Sequence, residues 1–215
     1  YVATGHIATG RPYWFDRIMN ALQVRHRTAL DLTRFGLPVF GVEPGSGEGR
    51  WQTLGPVLEG LKTLDPALRE AAVDAAEEQL RSARRDDFQA LAPLSLAQLQ
   101  EIARSPWVTI GAHTECHSLL DQLSPDAAQA SMELSAQRLR EWTGAKVRHF
   151  AYPNGNHNAE LMARARDAGF DTALTTRKGL WCRGDSPFAV ARVPVGRYDD
   201  LTRFKLNLLA NAWRH

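Results

Sequence analysis

The sequence has no long apolar run, only two cysteines and little net charge. No stretch approaches the roughly 18 consecutive apolar residues of a membrane-spanning helix, so no membrane span is predicted. Cys116 and Cys182 form neither a CxxC motif nor a disulfide framework. A formal charge of +2 is too small to favour nucleic acid or an anionic membrane as a partner. The remaining composition, 44% hydrophobic and 23% charged among 215 residues, is that of an ordinary globular protein.

The first residues, YVATGHIATG, are typical of the end of a strand that runs into a glycine-rich loop. They include no initiator methionine, basic segment or apolar signal sequence. We therefore expect this chain to be a fragment, or a processed form, whose first elements are missing.

The first half of the sequence predicts helices at 12–24 and 56–85, the second broken at Asp65-Pro66 because proline disfavours a helical residue before it. Between them, residues 35–55 are rich in glycine and proline and predict a loop with one short hairpin.

The second half alternates between predicted helices and strands. Ser95 and Gln98 predict a capping box for a helix to Ala103, and Ser124-Pro125-Asp126 predicts the start of a helix that ends at Gly144. Strands are predicted at 107–111, 147–151, 170–176 and 189–193, and further helices at 158–168 and 199–212. Such alternation favours parallel strands with helical crossovers, in an open doubly wound sheet or a barrel. In either fold, catalytic residues follow the carboxyl ends of strands.

One such loop is IGAHTECHSLL, residues 110–120. His113 and His117 are four residues apart, so one helical turn would place both imidazoles on the same side, as two ligands of a Zn²⁺-type ion require. The spacing alone also suits surface or packed histidines. Thr114 can hydrogen-bond within the loop and fix it.

A second loop, FAYPNGNHN at residues 150–158, follows the next predicted strand. Pro153 and Gly155 predict a tight turn whose backbone N–H groups can stabilise a developing oxyanion. Read alone, the same turn is as well explained as a simple connection from strand to helix.

Together these two loops resemble a known family. HTECH is similar to the His-[Ser/Thr]-x-x-His metal motif of the polysaccharide deacetylases, also called the NodB-homology or carbohydrate esterase family 4. RHFAYPNG resembles the third motif of that family, and the order and spacing of the two motifs also fit. The opening VATGHIATGRPYWFDRI is similar to the segment that follows the second strand in the branch of the family with an inserted helical region. The resemblance therefore covers nearly the whole chain and is loosest at 35–90.

The resemblance implies a distorted (β/α)7 barrel, incomplete at its N-terminus and spanning residues 1–215, with a helical insertion at 35–90. It implies Zn²⁺ or another divalent ion held by His113 and His117, with Thr114 steadying their loop. A metal-activated water would attack the acetyl carbonyl, and the Asn154 N–H would help to hold the oxyanion. Tyr152, Pro153 and Gly155 would shape the acetyl pocket.

The sequence departs from the family pattern at several positions. The two family aspartates, in a Thr-Phe-Asp-Asp motif, would lie before Tyr1, and neither Asp16 nor Asp31 stands at a matching place. Ala151 occupies the position of a common motif arginine, and we expect Arg192 to supply that charge. No Leu-x-His motif for a catalytic acid is found near the C-terminus, where His215 is terminal.

We therefore expect a metal-dependent hydrolase that removes N-acetyl or O-acetyl groups from a saccharide, such as a poly-N-acetylhexosamine or a lipid-linked saccharide of the cell envelope. This fragment alone is expected to be weakly active or inactive. Two alternatives stay open, a hydrolase of small non-sugar amides and a non-catalytic carbohydrate-binding domain with a degenerate site.

Overall fold

The computed structural model describes residues 1–44, 48–85, 90–196 and 198–212, without the side chains of 48–50 and 212. Its helices are α1 (Thr4–Thr9), α2 (Trp14–Ala21), α3 (Glu48–Lys62), α4 (Pro66–Leu80), α5 (Leu96–Ala103), α6 (Pro125–Thr143), α7 (Ala159–Asp167) and α8 (Leu201–Ala212). Its strands are β1 (Thr28–Asp31), β2 (Val39–Val42), β3 (His149–Ala151), β4 (Thr172–Lys178) and β5 (Val190–Arg192). None of the described helices is both long and apolar enough to cross a bilayer.

The chain divides into two compact units. The first unit combines Tyr1–Thr9 with Ser95–His215, and the second consists of Gly10–Leu94.

In the second unit, β1 and β2 form an antiparallel hairpin in which Thr28 lies opposite Val42. Helices α2, α3 and α4 bury an apolar core that includes Ile18, Val57 and Val73, each with 0% of its surface exposed. The prediction for residues 35–55 was partly wrong, because the hairpin spans 28–42 and α3 already begins at Glu48. The predicted break is confirmed, since the Asp65 side chain accepts hydrogen bonds from two N–H groups at the start of α4.

The first unit is built on a three-stranded parallel sheet in the order β3-β4-β5. Two further chain segments extend this sheet through isolated parallel bridges, one from Phe150 to Ala112 and the next from Ala112 to Val2. Five parallel segments therefore lie side by side, and α7 is the crossover between β3 and β4. Within the described ranges, no pairing from β5 back to Val2 closes these segments into a barrel.

The core of this unit lies between the sheet and its helices. Phe150 and Tyr152 on the β3 segment pack with α6 residues such as Met132 and with Phe170, whose ring centroid is 5.1 Å from that of Phe150. The predicted caps at α5 and α6 are confirmed: Ser95 and Gln98 form a reciprocal capping box, and Ser124 caps α6.

The predicted strand at 107–111 is wrong. In the described ranges this segment pairs only at its end, where the Gly111 carbonyl accepts from the Val2 N–H at 2.9 Å and the following Ala112 forms parallel bridges, and Trp107 is 92% exposed. The apolar residues that suggested a buried strand therefore lie largely at the surface. The opening residues also differ from the prediction, because α1 occupies the stretch expected to be a glycine-rich loop.

Candidate metal-binding site

His113 and His117 lie at the carboxyl end of the segment that pairs with both Val2 and Phe150. Their ring centroids are 4.7 Å apart, and the ring planes are nearly perpendicular at 82°. The chain does not reach this arrangement through the predicted helical turn. Instead, Thr114 and His117 adopt left-handed backbone angles, with φ of 65° and 56°. Non-glycine residues rarely adopt this conformation, and it is concentrated at functional sites.

The orientation of the His113 ring is fixed by a backbone group. Its Nδ1 lies 2.7 Å from the carbonyl oxygen of Ala151 at the end of β3. Because a carbonyl can only accept, Nδ1 carries the hydrogen, and the lone pair of the neutral ring is on Nε2. Metal-binding histidines characteristically donate their second ring N–H to such an acceptor.

The environment of His113 also favours the neutral ring. Burial lowers the pKa of His113 most strongly, the hydrogen bond to Ala151 opposes that effect, and nearby positive charge, including Arg192, lowers the pKa further. A neutral imidazole is the form that binds a metal ion.

Helix α1 supports the histidine loop from its other side. Gly5 N–H donates to the Glu115 carbonyl at 2.7 Å, and Thr4 N–H donates to the Thr114 carbonyl at 3.3 Å. A Cβ atom at Gly5 would lie 3.0 Å from the Glu115 oxygen, so this close approach favours glycine.

In the described part of the chain, the Thr114 side chain does not hydrogen-bond within the loop as the sequence predicted. Thr114 is fully buried, and its Oγ1 has no hydrogen-bond partner among the residues that the structure describes, so its support for the loop comes from its backbone carbonyl. The Glu115 carboxylate pairs with Arg138 on α6 at 2.7 Å. In the described ranges, no cluster of three histidine, cysteine or acidic residues could hold a metal ion.

The second predicted loop follows β3 directly. The Tyr152 ring is only 1% exposed, and its hydroxyl donates to the Phe188 carbonyl at 3.1 Å. Burial raises the pKa of Tyr152. Tyr152 is therefore a core residue, and any contribution to a pocket comes from its backbone. Pro153 is also buried.

Asn154, which is exposed, and Gly155, which is half-buried, form the tip of this loop. Both have left-handed backbone angles, with φ of 56° and 82°. Thr176 on β4 donates to the Asn154 carbonyl at 3.1 Å, and a Cβ at Gly155 would lie 2.1 Å from Thr176 Oγ1. The Asn154 N–H has no acceptor in the described part of the chain, so it is available to a bound oxygen.

Arg192 lies at the end of β5, opposite Lys178 of β4. Its Nε donates to the Thr175 carbonyl at 2.7 Å, and no acidic side chain in the described ranges forms an ion pair with it. The structure thus brings His113 and His117 together, and Arg192 lies near enough to influence the His113 ring electrostatically.

The two aspartates that do not match the family motif, Asp16 and Asp31, belong to the second unit. The Asp31 carboxylate accepts hydrogen bonds from the Thr33 N–H and hydroxyl at 2.9 and 2.7 Å. His215 lies outside the described residues.

The matching family model covers both loops. The polysaccharide deacetylase model matches residues 69–173, a stretch that includes His113, His117 and Asn154. This stretch, just under half of the chain, is similar to the polysaccharide deacetylase family.

A relative and two solved structures agree with this similarity. YxkH of Bacillus subtilis (strain 168), named as a candidate polysaccharide deacetylase, is 28% identical over 102 residues, which are 47% of this chain and 36% of YxkH. The deacetylase PplD of Streptococcus pyogenes, solved in complex with acetate, superposes with a TM-score of 0.52 at 22% identity, over 55% of this chain and 52% of PplD. A Bacillus cereus polysaccharide deacetylase gives a TM-score of 0.50 at 17% identity, over 63% of this chain and 47% of its own.

These likenesses show the mixed α/β fold of the deacetylases. The chain spans about a third of the length of YxkH and about half of each solved deacetylase. Arg192 and α1 lie outside the stretch that the family model matches.

Proposed function

We propose that this chain carries part of the active site of a metal-dependent hydrolase that removes N-acetyl or O-acetyl groups from a saccharide. The observation that carries the proposal is the pair of imidazoles on a left-handed turn, with His113 Nδ1 donating to Ala151 and Nε2 left with its lone pair. Similarity to a family that is generally metal-dependent supports the same conclusion.

His113 and His117 would hold the ion, Zn²⁺ or another divalent cation. Two imidazoles of this kind suit several first-row divalent ions, so the donor set does not select one. A bound divalent ion supplies Lewis-acid polarisation of the acetyl carbonyl and lowers the pKa of a water molecule. The protein's part is to hold the ligands in place: the Ala151 carbonyl orients the His113 ring, and α1 holds the backbone of the loop between the two histidines.

The second loop would bind the reacting acetyl group. In hydrolysis, water adds to the acetyl carbonyl carbon, the bond to nitrogen or oxygen breaks, and acetate and the freed amine or alcohol leave. Negative charge develops on the carbonyl oxygen, and the Asn154 N–H would stabilise it. The backbone of Tyr152, together with Pro153 and Gly155, would form the wall of the pocket, and Arg192 would supply positive charge at its edge.

For the whole protein we propose the distorted (β/α)7 barrel, with residues 35–90 as an insertion in that domain. The five parallel segments from Val2 through Ala112 to β5 support this proposal, since they lie side by side with the candidate residues at or after their carboxyl ends.

Acetate release from N-acetylglucosamine oligomers by the full-length protein tests the proposal. We expect activity to disappear with a chelator, to return with a divalent ion, and to fall more than about 100-fold in His113→Ala and His117→Ala, since loss of a group that merely orients a metal ligand already costs about 10- to 100-fold. His149→Ala is the matched control, because His149 is a half-buried imidazole on β3 that contacts Thr172 instead.

The substrate panel distinguishes the remaining alternatives. Acetate release from an acyclic N-acetyl amide, but not from the oligomers, would show that the substrate is a small amide and not a saccharide. Binding of the oligomers without acetate release under any divalent ion would refute the catalytic proposal and leave a carbohydrate-binding domain.

A further inference from the structure

Three side chains connect the two candidate loops. Asn154 Nδ2 donates to Asn156 Oδ1 at 2.9 Å, and Asn156 Nδ2 donates to Asp121 Oδ2 at 2.7 Å. Asp121 lies four residues after His117, on the 3₁₀ turn Leu120–Gln122. We call these three residues the Asp121–Asn156–Asn154 chain.

The carboxylate fixes the direction of this chain. An ionised carboxylate only accepts hydrogen bonds, so the Asn156 amide must turn its nitrogen towards Asp121 and its oxygen towards Asn154. The Asn154 amide must then present its nitrogen to Asn156. Asp121 therefore determines the orientation of both amides.

Both ends of the chain are anchored. Leu120, beside Asp121, is 1% exposed and holds the 3₁₀ turn in the core. At the other end, Thr176 on β4 donates to the Asn154 carbonyl at 3.1 Å. Asn154 is thus held through its side chain by Asn156, which Asp121 holds in turn, and through its backbone by β4.

Asn154, the residue held in this way, has the less common left-handed backbone conformation, with φ of 56°. Asparagine tolerates left-handed angles better than most residues, but it is not confined to them as a turn glycine can be. Left to itself, Asn154 would sample other angles, and the direction of its N–H would change with them. A hydrogen bond from its side chain to a fixed partner narrows that range.

We propose that Asp121, acting through Asn156, is a positioning residue that holds the Asn154 N–H in place for the developing oxyanion. This inference rests on the proposed function. Because the outer hydrogen bond is charge-assisted, it is stronger than a bond between neutral groups. Because Asp121 is exposed to solvent, removing its carboxylate should lower kcat less than removing the Asn154 N–H donor would.

Steady-state kinetics of the full-length protein tests the proposal with Asp121→Leu, Asp121→Asn and the control Asp167→Leu, which removes an exposed carboxylate on α7. We expect Asp121→Leu to lower kcat about tenfold with KM within about twofold, against the roughly 100- to 1,000-fold loss on removing an oxyanion donor. Asp121→Asn should stay near the wild-type kcat, since an amide oxygen still accepts from Asn156. If Asp121→Leu acted only by disturbing the fold, Asp121→Asn would not be expected to restore kcat while KM stays unchanged.

A second measurement does not depend on activity. In an amide ¹H–¹⁵N spectrum of the folded protein, Asp121→Leu should shift the Asn154 backbone resonance, whereas Asp121→Asn and Asp167→Leu should leave it close to its wild-type position. Metal titration of the same variants should give unchanged affinity, because His113 and His117 are intact.

Two results would overturn the positioning role. One is an equal kcat in Asp121→Leu and Asp167→Leu, and the other is an unmoved Asn154 amide in Asp121→Leu. If the wild-type protein released no acetate under any divalent ion, the proposed function would fail, and the amide spectrum would still decide whether Asp121 holds Asn154.

Discussion

Replacing Gly155 with alanine tests how closely the second loop is held against β4. Gly155 has φ of 82°, and a Cβ built on it would lie 2.1 Å from Thr176 Oγ1 and 2.6 Å from the Thr176 backbone nitrogen. The side chain of Thr176 can rotate, but its backbone nitrogen cannot move without displacing β4. The loop must therefore shift to accept the methyl group.

Two costs add at this position. The left-handed backbone costs an alanine about 1–2 kcal/mol. Inserting a methyl group into a closely packed place costs about 1–3 kcal/mol more. Gly144→Ala isolates the first cost, because Gly144 in the same unit has φ of 66° and nothing within 4 Å of its built Cβ. The free energy of unfolding should therefore fall by about 1–3 kcal/mol more in Gly155→Ala than in Gly144→Ala.

Urea unfolding followed by circular dichroism measures this difference. Acetate release by the two folded variants adds a functional readout, since displacement of Gly155 moves Asn154 and displacement of Gly144 does not. Equal losses of stability in the two variants would show that the loop yields freely, and the close contact with Thr176 would then have no energetic role.

Two further predictions concern protonation and ion pairing. The folded-state pKa of His113 lies below its ordinary 6.5, so the unfolded chain binds more protons than the folded chain. Metal-free protein should therefore lose stability as the pH falls from about 6.5 through the folded pKa. Urea unfolding at several pH values should show a smaller loss of stability in His113→Gln, and an identical loss would contradict the lowered pKa of His113. Arg17→Met should lower the free energy of unfolding by about 1–3 kcal/mol, because the Arg17 side chain is only 7% exposed and its removal leaves three carboxylates of α4 without this partner. The Arg11 side chain is 52% exposed, so Arg11→Met should change the free energy of unfolding by less than about 0.5 kcal/mol. Thermal or urea unfolding measures both changes. The acids that contact Arg17 are Glu70, Asp74 and Glu77. Equal effects of the two substitutions would show that burial adds nothing to the Arg17 cluster.

Helix boundaries were the part of the fold that local sequence could specify. Ser95, Ser124 and Asp65 each cap the helix predicted to follow them, because a capping side chain bonds to N–H groups within the next few residues. Gly144 ends α6 with a left-handed residue for the same local reason.

Strands were less predictable, because a strand exists only where another segment pairs with it. The apolar residues at 107–111 have the composition of a strand, yet Trp107 and Val108 are exposed, and pairing in the described ranges begins only at Gly111 and Ala112. The hairpin β1–β2 began before the region rich in glycine and proline for the same reason, since its pairing depends on residues on both sides of the turn.

The sequence by itself determined which residues were candidates for chemistry. The spacing of His113 and His117, the turn residues around Asn154 and the resemblance of both motifs to the deacetylases are all properties of the linear order. Tertiary structure alone decided how these residues are presented. The acceptor for His113 is a backbone carbonyl on another strand, the Tyr152 ring turns into the core, and Asp121 reaches Asn156 across 35 positions. Backbone groups carry no residue identity, and contacts between distant segments depend on the packing of the whole unit, so no local pattern could have specified them.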